Sequence, residues 1–271
     1  MAGSIGEKIG EGAMAEVYVW APGQVLKLFK PGFRRRVGWW EAQMTRAVFA
    51  AGGPAPEVLD EMILDGRYGI VMPRLHGPTL LQRLQTGATT PEEAGAVLAA
   101  LALAIQKTPT PAEVLPVRRY MEASLQPGDG RIPDHIAEGV LALIDRLPPD
   151  EGLSHCDLHP GNVILTAEGA RLIDWTGTKR GGAPLDLACC HFLLTELTPE
   201  GFGDAARQSA MNMALQSAYM ALTGMSAAAL TAAIALHLPI VRVFSLLGAA
   251  ARPLMRERLL ERLEADFPCE G

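Results

Sequence analysis

Ser154-His155-Cys156-Asp157-Leu158-His159-Pro160-Gly161-Asn162-Val163-Ile164-Leu165 is the run that decides the fold of this chain. A turn carrying Asp157 is followed five residues later by Asn162, which opens a β-branched, strand-like run. A second short strand, Ala170-Arg171-Leu172-Ile173, ends at Asp174. Three oxygen-bearing side chains therefore converge at the ends of one hairpin. Carboxylate and carboxamide oxygens suit Mg²⁺, a hard cation usually held by few protein ligands plus substrate phosphates. The pattern points to phosphoryl transfer, with Asp157 taking the proton of an attacking hydroxyl and Asn162 and Asp174 holding metal.

The block resembles the aminoglycoside phosphotransferase and choline kinase-like family of the protein-kinase-like superfamily. Members carry a signature close to H-G-D-x-H-P-G-N, then a strand-D pair where protein kinases have D-F-G. Here it reads His155-Cys156-Asp157-Leu158-His159-Pro160-Gly161-Asn162, then Ile173-Asp174-Trp175. Cys156 replaces the usual Gly, and Trp175-Thr176 follows the metal aspartate; neither removes a group the chemistry needs. The resemblance implies an α+β, two-lobed protein-kinase-like fold. A small antiparallel β lobe with one helix would span residues 1–75, and a larger, mainly helical lobe residues 76–271. It also implies ATP and Mg²⁺ in the cleft and a small-molecule hydroxyl as acceptor.

Downstream, Pro184-Leu185-Asp186-Leu187-Ala188 follows Asp174 closely. In the resembling family an aspartate here hydrogen-bonds the catalytic-loop backbone, which is the role expected of Asp186. An acid satisfying a helix N-terminus is the plainer reading. Protein kinases fill this interval with a long activation segment and a peptide platform, for which there is no room. A protein Ser/Thr kinase is thereby disfavoured. A nucleotide-binding pseudokinase scaffold is disfavoured by the joint presence of Lys27, Glu41, Asp157, Asn162 and Asp174. His155, Cys156 and His159 make a poor metal set, because softer N and S ligands need a fourth partner and a closed geometry. His155 is expected to brace the loop.

Upstream, Ile9 to Val19 alternates like a strand, breaks at Gly10 and Gly12, then resumes. Glycines there let a backbone close over phosphates, although in isolation an ordinary hairpin turn is the favoured explanation of the pair. Ala15 stands where protein kinases have a third glycine, so a looser loop is expected. Gln24 to Phe29 reads as a strand with one lysine amid apolar residues, and buried lysines are rare unless paired. The resemblance makes Lys27 the third-strand lysine that grips the α/β-phosphates. Phe33 to Ala51 reads as a helix with Trp40, Met44, Ala47, Val48 and Ala51 on one face. Glu41, its only acid, is the sole candidate partner for Lys27. Two strands, Glu57 to Leu64 and Arg67 to Met72, flank a turn at Asp65-Gly66. Val71 to Gly77 then looks like the linker between lobes. Met72 would border the purine pocket, while the Pro73 carbonyl and Leu75 N–H would meet the adenine edge.

From Pro78 to Asp150 the pattern is helical. It includes an N-cap at Thr90-Pro91 and helices over about Val117 to Leu125 and Pro133 to Leu147, with a loop at Pro127 to Gly130 between them. Gln208 to Val241 contains no charged residue, long enough to suggest a membrane span. Its polar interruptions favour two buried helices turning at Gly224 instead, so no membrane is expected. Pro199 to Phe267 reads as three helices, and related antibiotic kinases use carboxylates near the C-terminus to hold cationic substrates. Glu264 and Asp266 are the candidates here, against the bland reading of a solvated helix end.

The chain has 271 residues, formal charge −6 and four cysteines without metal spacing. That charge disfavours nucleic acid as the main partner and suits a cationic small molecule. The adjacent pair Cys189-Cys190 disfavours a disulfide framework, and the start Met1-Ala2-Gly3-Ser4 lacks a signal-peptide pattern. A reducing, cytoplasmic setting is expected.

Overall fold

The structure, a computed structural model, describes residues 5–126, 128, 130–147, 152–197, 203–248 and 253–269. Five antiparallel strands open the chain: β1 (Lys8–Glu11), β2 (Ala15–Ala21), β3 (Gln24–Phe29), β4 (Asp60–Leu64) and β5 (Arg67–Pro73), in sheet order β1-β2-β3-β5-β4. The β4–β5 turn follows from Asp65-Gly66, both at positive φ, as two-residue hairpins require.

Helix α1 (Arg35–Ala50) crosses one face of this sheet and packs through Ala42 on Phe29, Val58 and Ile70. Its buried stripe is Gly38, Glu41, Ala42, Met44, Thr45 and Val48, rotated from the expected face so that Glu41 points inward. A Cβ on Gly38 would lie 2.5 Å from the Tyr68 ring and 2.8 Å from the Phe29 ring, so the helix rests directly on the sheet. Lys27 and Phe29 alternate onto this same face. The opposite face buries Leu26, Leu28 and Val71.

After β5 the chain enters the helical part at Gly77, whose φ is 154° and whose Cβ would fall 1.9 Å from the Leu165 carbonyl oxygen. Helices α2 (Leu80–Gln85), α3 (Pro91–Lys107), α4 (Val117–Ser124) and α5 (Asp134–Arg146) follow. Thr90 and Glu93 complete a reciprocal capping box on α3, with Pro91 at the first turn. The short strands β6 (Leu153–Ser154) and β9 (Lys179–Arg180) pair with each other, and β7 (Val163–Thr166) pairs with β8 (Gly169–Leu172). Then come α6 (Gly182–Phe192), continued by one π-helical turn, and α7 (Ala205–Thr223), α8 (Ala227–Leu247) and α9 (Pro253–Asp266).

The turn between α7 and α8 lies at Gly224, which takes the left-handed conformation at the α7 C-terminus. By length and composition α8 could cross a membrane. It packs against α6 and carries the buried Arg242, paired to Glu196 and Asp266. Three helices do end the chain, although Pro199, where the first was expected to begin, lies outside the described residues. So do Met1 to Ser4, Asp150, and Pro127 and Asp129 of the expected loop.

Helices α3 and α7 pack closely along their lengths. A Cβ on Gly95 would meet the Met211 carbonyl oxygen at 2.5 Å and Leu215 N at 2.7 Å, which is backbone that has no rotamer to give. Gly95→Ala should therefore cost about 1–3 kcal/mol in denaturant titration, the usual range for overpacking. A loss within about 0.5 kcal/mol, the usual effect of a surface change, would mean that α3 and α7 separate freely.

Candidate active site

Between the sheet and the helices runs one cleft, lined by Gly10, Gly12, Lys27, Glu41, Met72, Pro73, Leu75, Asp157, Asn162 and Asp174. Its upper wall starts at Gly12, whose N–H donates to the Ala15 carbonyl at 2.8 Å. Ala15, just after the loop, is buried against the core. The Ala15 methyl fills space beneath the loop.

Lys27 Nζ lies 2.5 Å from Glu41 Oε1 and 3.5 Å from Asp174 Oδ2. Burial works against the Lys27 charge, but the Glu41 and Asp174 carboxylates outweigh it and hold its pKa above the ordinary lysine value. Burial likewise opposes the Asp174 charge, and Lys27 with the Thr176 hydroxyl holds that carboxyl below its usual range.

The loop bearing Asp157 is built on backbone bonds. Cys156 sits at φ 64°, an uncommon conformation for a residue with a side chain. Asp186, near the start of α6, holds it there: Oδ2 accepts the His155 N–H at 2.9 Å and Oδ1 the Cys156 N–H at 2.7 Å. Burial pushes the Asp186 carboxyl up to about 7, with the two N–H donors pulling the other way. His155 is fully buried, with its ring edge-on to Trp175. Its Nδ1 accepts the Asp157 N–H at 3.2 Å, so Nε2 carries the proton and donates to the Ile173 carbonyl at 3.1 Å. Burial lowers its pKa to about 4.

Pro160 to Asn162 form one 3₁₀ turn, and Asn162 then donates twice to Asp157, at 2.9 Å to Oδ2 and 3.0 Å to the main-chain oxygen. The Asp157 side chain remains 41% exposed. Asp174 ends the hairpin at φ 65°, ψ 65°, and Trp175, fully buried, anchors the turn that follows by donating to the Leu172 carbonyl at 2.8 Å.

A sequence profile of the phosphotransferase enzyme family (APH) matches residues 6–220. The chain belongs to that family. Among solved structures, a thermostable mutant of the aminoglycoside phosphotransferase APH(4)-Ia in apo form gives a TM-score of 0.66 at 16% identity, covering 97% of this chain and 94% of that one. A choline/ethanolamine kinase family protein from Mesorhizobium loti gives 0.59 at 18% identity, over 96% of this chain and 86% of its own. Aminoglycoside-3′-phosphotransferase of type VIII gives 0.58 at 20% identity, over 88% and 92%. These TM-scores over nearly whole chains show the shared fold, an α+β protein-kinase-like architecture. No curated protein matches in sequence.

In this phosphotransferase the cleft gathers ten of the fourteen residues singled out in the sequence. His155 and Asp186 sit behind it, bound to the loop backbone. Glu264 and Asp266, the expected substrate carboxylates, do not line this cleft. Glu264 Oε2 is 2.8 Å from His135 Nε2, and Asp266 Oδ2 is 2.5 Å from Arg242 Nη1. Both carboxylates join helices, and Phe267 packs against the core at Gly139. Two other residues of the site escaped the sequence reading. Thr176 Oγ1 lies within 3.0 Å of both Asp174 and Glu41. His159 Nε2 stands 3.6 Å from Asp157 Oδ2, with its Nδ1 accepting the Gly161 N–H. The motif signal was visible for each: Thr176 as a departure from the family pattern, His159 as part of it.

The donor set fits a hard cation. With its amide nitrogen on Asp157, Asn162 has a carbonyl oxygen to offer a cation, and it lines the cleft together with Asp174. Two oxygen donors are the kind of sparse set that Mg²⁺ accepts when phosphates complete its shell. Among the described residues no group of three or more His, Cys, Asp or Glu could hold a metal.

Because His155 stays neutral down to about pH 4, its contribution to stability is fully present above its ordinary value of 6.5 and lost as pH falls toward 4. The shift is worth roughly 3 kcal/mol. In urea titrations the stability advantage of the wild type over His155→Phe should be widest above pH ~7 and shrink by roughly 2–3 kcal/mol near pH ~4.5. An advantage that does not change with pH would show that His155 titrates normally.

Proposed function

We propose that this phosphotransferase moves the γ-phosphoryl group of ATP, bound with Mg²⁺, to a hydroxyl of a small molecule. The observation that carries this reading is the single cleft lined by Lys27, Asp157, Asn162 and Asp174, with Asp157 fixed by Asn162 yet open to solvent. Lys27 would hold the α/β-phosphates, steadied by Glu41. The backbone at Gly10 and Gly12 would cover them. Met72, Pro73 and Leu75 would border the purine. Asn162 and Asp174 would hold the cation, which when bound neutralises charge on the phosphates. Asp157 would orient the acceptor hydroxyl and take its proton as the new bond forms.

A small acceptor is supported by the short path from Asp174 to α6, which is one 3₁₀ turn and the two-residue strand β9. One APH(4)-Ia structure is a ternary complex with AMP-PNP and hygromycin B, and an APH(2″) structure holds GDP and kanamycin. With the net charge of −6, an aminoglycoside-like cation or amino alcohol is the acceptor class to test first. The cytoplasm is the proposed compartment, in keeping with four free thiols.

A nucleotide-consumption screen over aminoglycosides, amino alcohols, sugars and macrolides tests the acceptor class. Phosphorylation of a protein with no small acceptor would replace this reading with the protein-kinase one, and nucleotide binding without turnover would replace it with the scaffold one. Asp157→Asn should lower kcat by ~10²–10⁴-fold while leaving nucleotide affinity near wild type. Retention of more than about a tenth of wild-type turnover would remove Asp157 from the role of base. Lys27→Ala and Asp174→Ala should each weaken Mg·ATP binding in calorimetry. If neither does, the nucleotide binds elsewhere.

A further inference from the structure

Thr176 closes a ring of four side chains. Its Oγ1 is 2.8 Å from Asp174 Oδ1 and 3.0 Å from Glu41 Oε2. Lys27 Nζ joins the other oxygens of the same two carboxylates, at 2.5 Å to Glu41 Oε1 and 3.5 Å to Asp174 Oδ2. Each carboxylate thus faces the ammonium with one oxygen and the hydroxyl with the other. A threonine hydroxyl carries one proton, so it can donate to only one of them at a time.

The backbone around Thr176 leaves it little room to move. Trp175 is buried and bonded to the Leu172 carbonyl, while Thr178 Oγ1 donates to the Trp175 carbonyl at 2.6 Å. What remains free is rotation of the O–H. We propose that Thr176 is a positioning residue that ties the metal-binding carboxylate to α1. With Asp174 engaged by a cation, the proton turns to Glu41 and keeps that carboxylate aligned on Lys27. Without a cation Lys27 already bridges both carboxylates, and the hydroxyl is the lesser of the two ties. This inference rests on the assignment of Asp174 to Mg²⁺.

The hydroxyl is needed in this scheme, and the methyl is not. Calorimetric titration of ATP with and without Mg²⁺ tests it on the wild type and on Thr176→Val, Thr176→Ala and Thr176→Ser, with melting temperatures recorded alongside. Valine keeps the shape and loses the proton, so Mg·ATP affinity should fall about ten-fold, the effect of losing a hydrogen bond to a charged group. Affinity for ATP without Mg²⁺ should change less than about two-fold. Serine should restore the Mg²⁺-dependent part, and alanine should match valine, serving in its place if valine does not fold. Wild-type Mg²⁺ dependence in the valine and alanine variants, or failure of serine to restore it, would overturn the inference and leave the proposed function standing. A wild type that gains no ATP affinity from Mg²⁺ would overturn both.

Discussion

Two carboxylates share one ammonium at the floor of the cleft, and much of the architecture serves to keep that arrangement intact. Glu41 is only 2% exposed, and a buried carboxylate without a matched charge costs several kcal/mol. The three groups come from three elements: Lys27 from β3, Glu41 from α1 and Asp174 from the end of the β7–β8 hairpin. They meet only if α1 lies flat on the sheet and the hairpin rises beneath it. Gly38 permits the first by letting the helix settle on Phe29 and Tyr68. The N–H of Ile173, donating to the Asn162 carbonyl at 2.9 Å, helps fix the second.

The loop beneath obeys a different constraint. Cys156 and Asp174 both hold left-handed backbone without being glycine, a cost of order 1–3 kcal/mol each that persists only where neighbours over-determine the conformation. Asp186 does this for Cys156 through two N–H bonds. Trp175 does it for Asp174 by sinking into the core beside His155. The buried imidazole links the two strained points, since one nitrogen holds the Asp157 N–H and the other the carbonyl just before Asp174.

The central block was legible in the sequence because its chemistry is local: a turn, an asparagine and a strand ending in aspartate stand within one hairpin. Lys27 was legible as a lone cation in an apolar strand, and Glu41 only as the sole acid on its helix. The apolar pattern of α1 suggested a face through Trp40 and Ala51, whereas the buried stripe follows the needs of Lys27. The tail could not be read. Its carboxylates are claimed by His135 and Arg242, partners that no periodicity links to positions 264 and 266. Thr176 stayed hidden for a similar reason, since its second partner lies across the cleft on α1.

Gly77 carries a geometric consequence for the whole catalytic apparatus. With no room for a Cβ on Gly77 beside the Leu165 carbonyl, and with Leu165 N donating to the Pro78 carbonyl at 3.0 Å, the segment leaving the sheet is stitched to β7, which begins just after Asn162. The linker is thus no loose strap between two bodies but one edge of a ruler. Under the proposed reading, a base lodged against Met72 to Leu75 would sit at a span from Asp157 that this contact helps to hold. A change of purine would then fall first on the side chains along that edge.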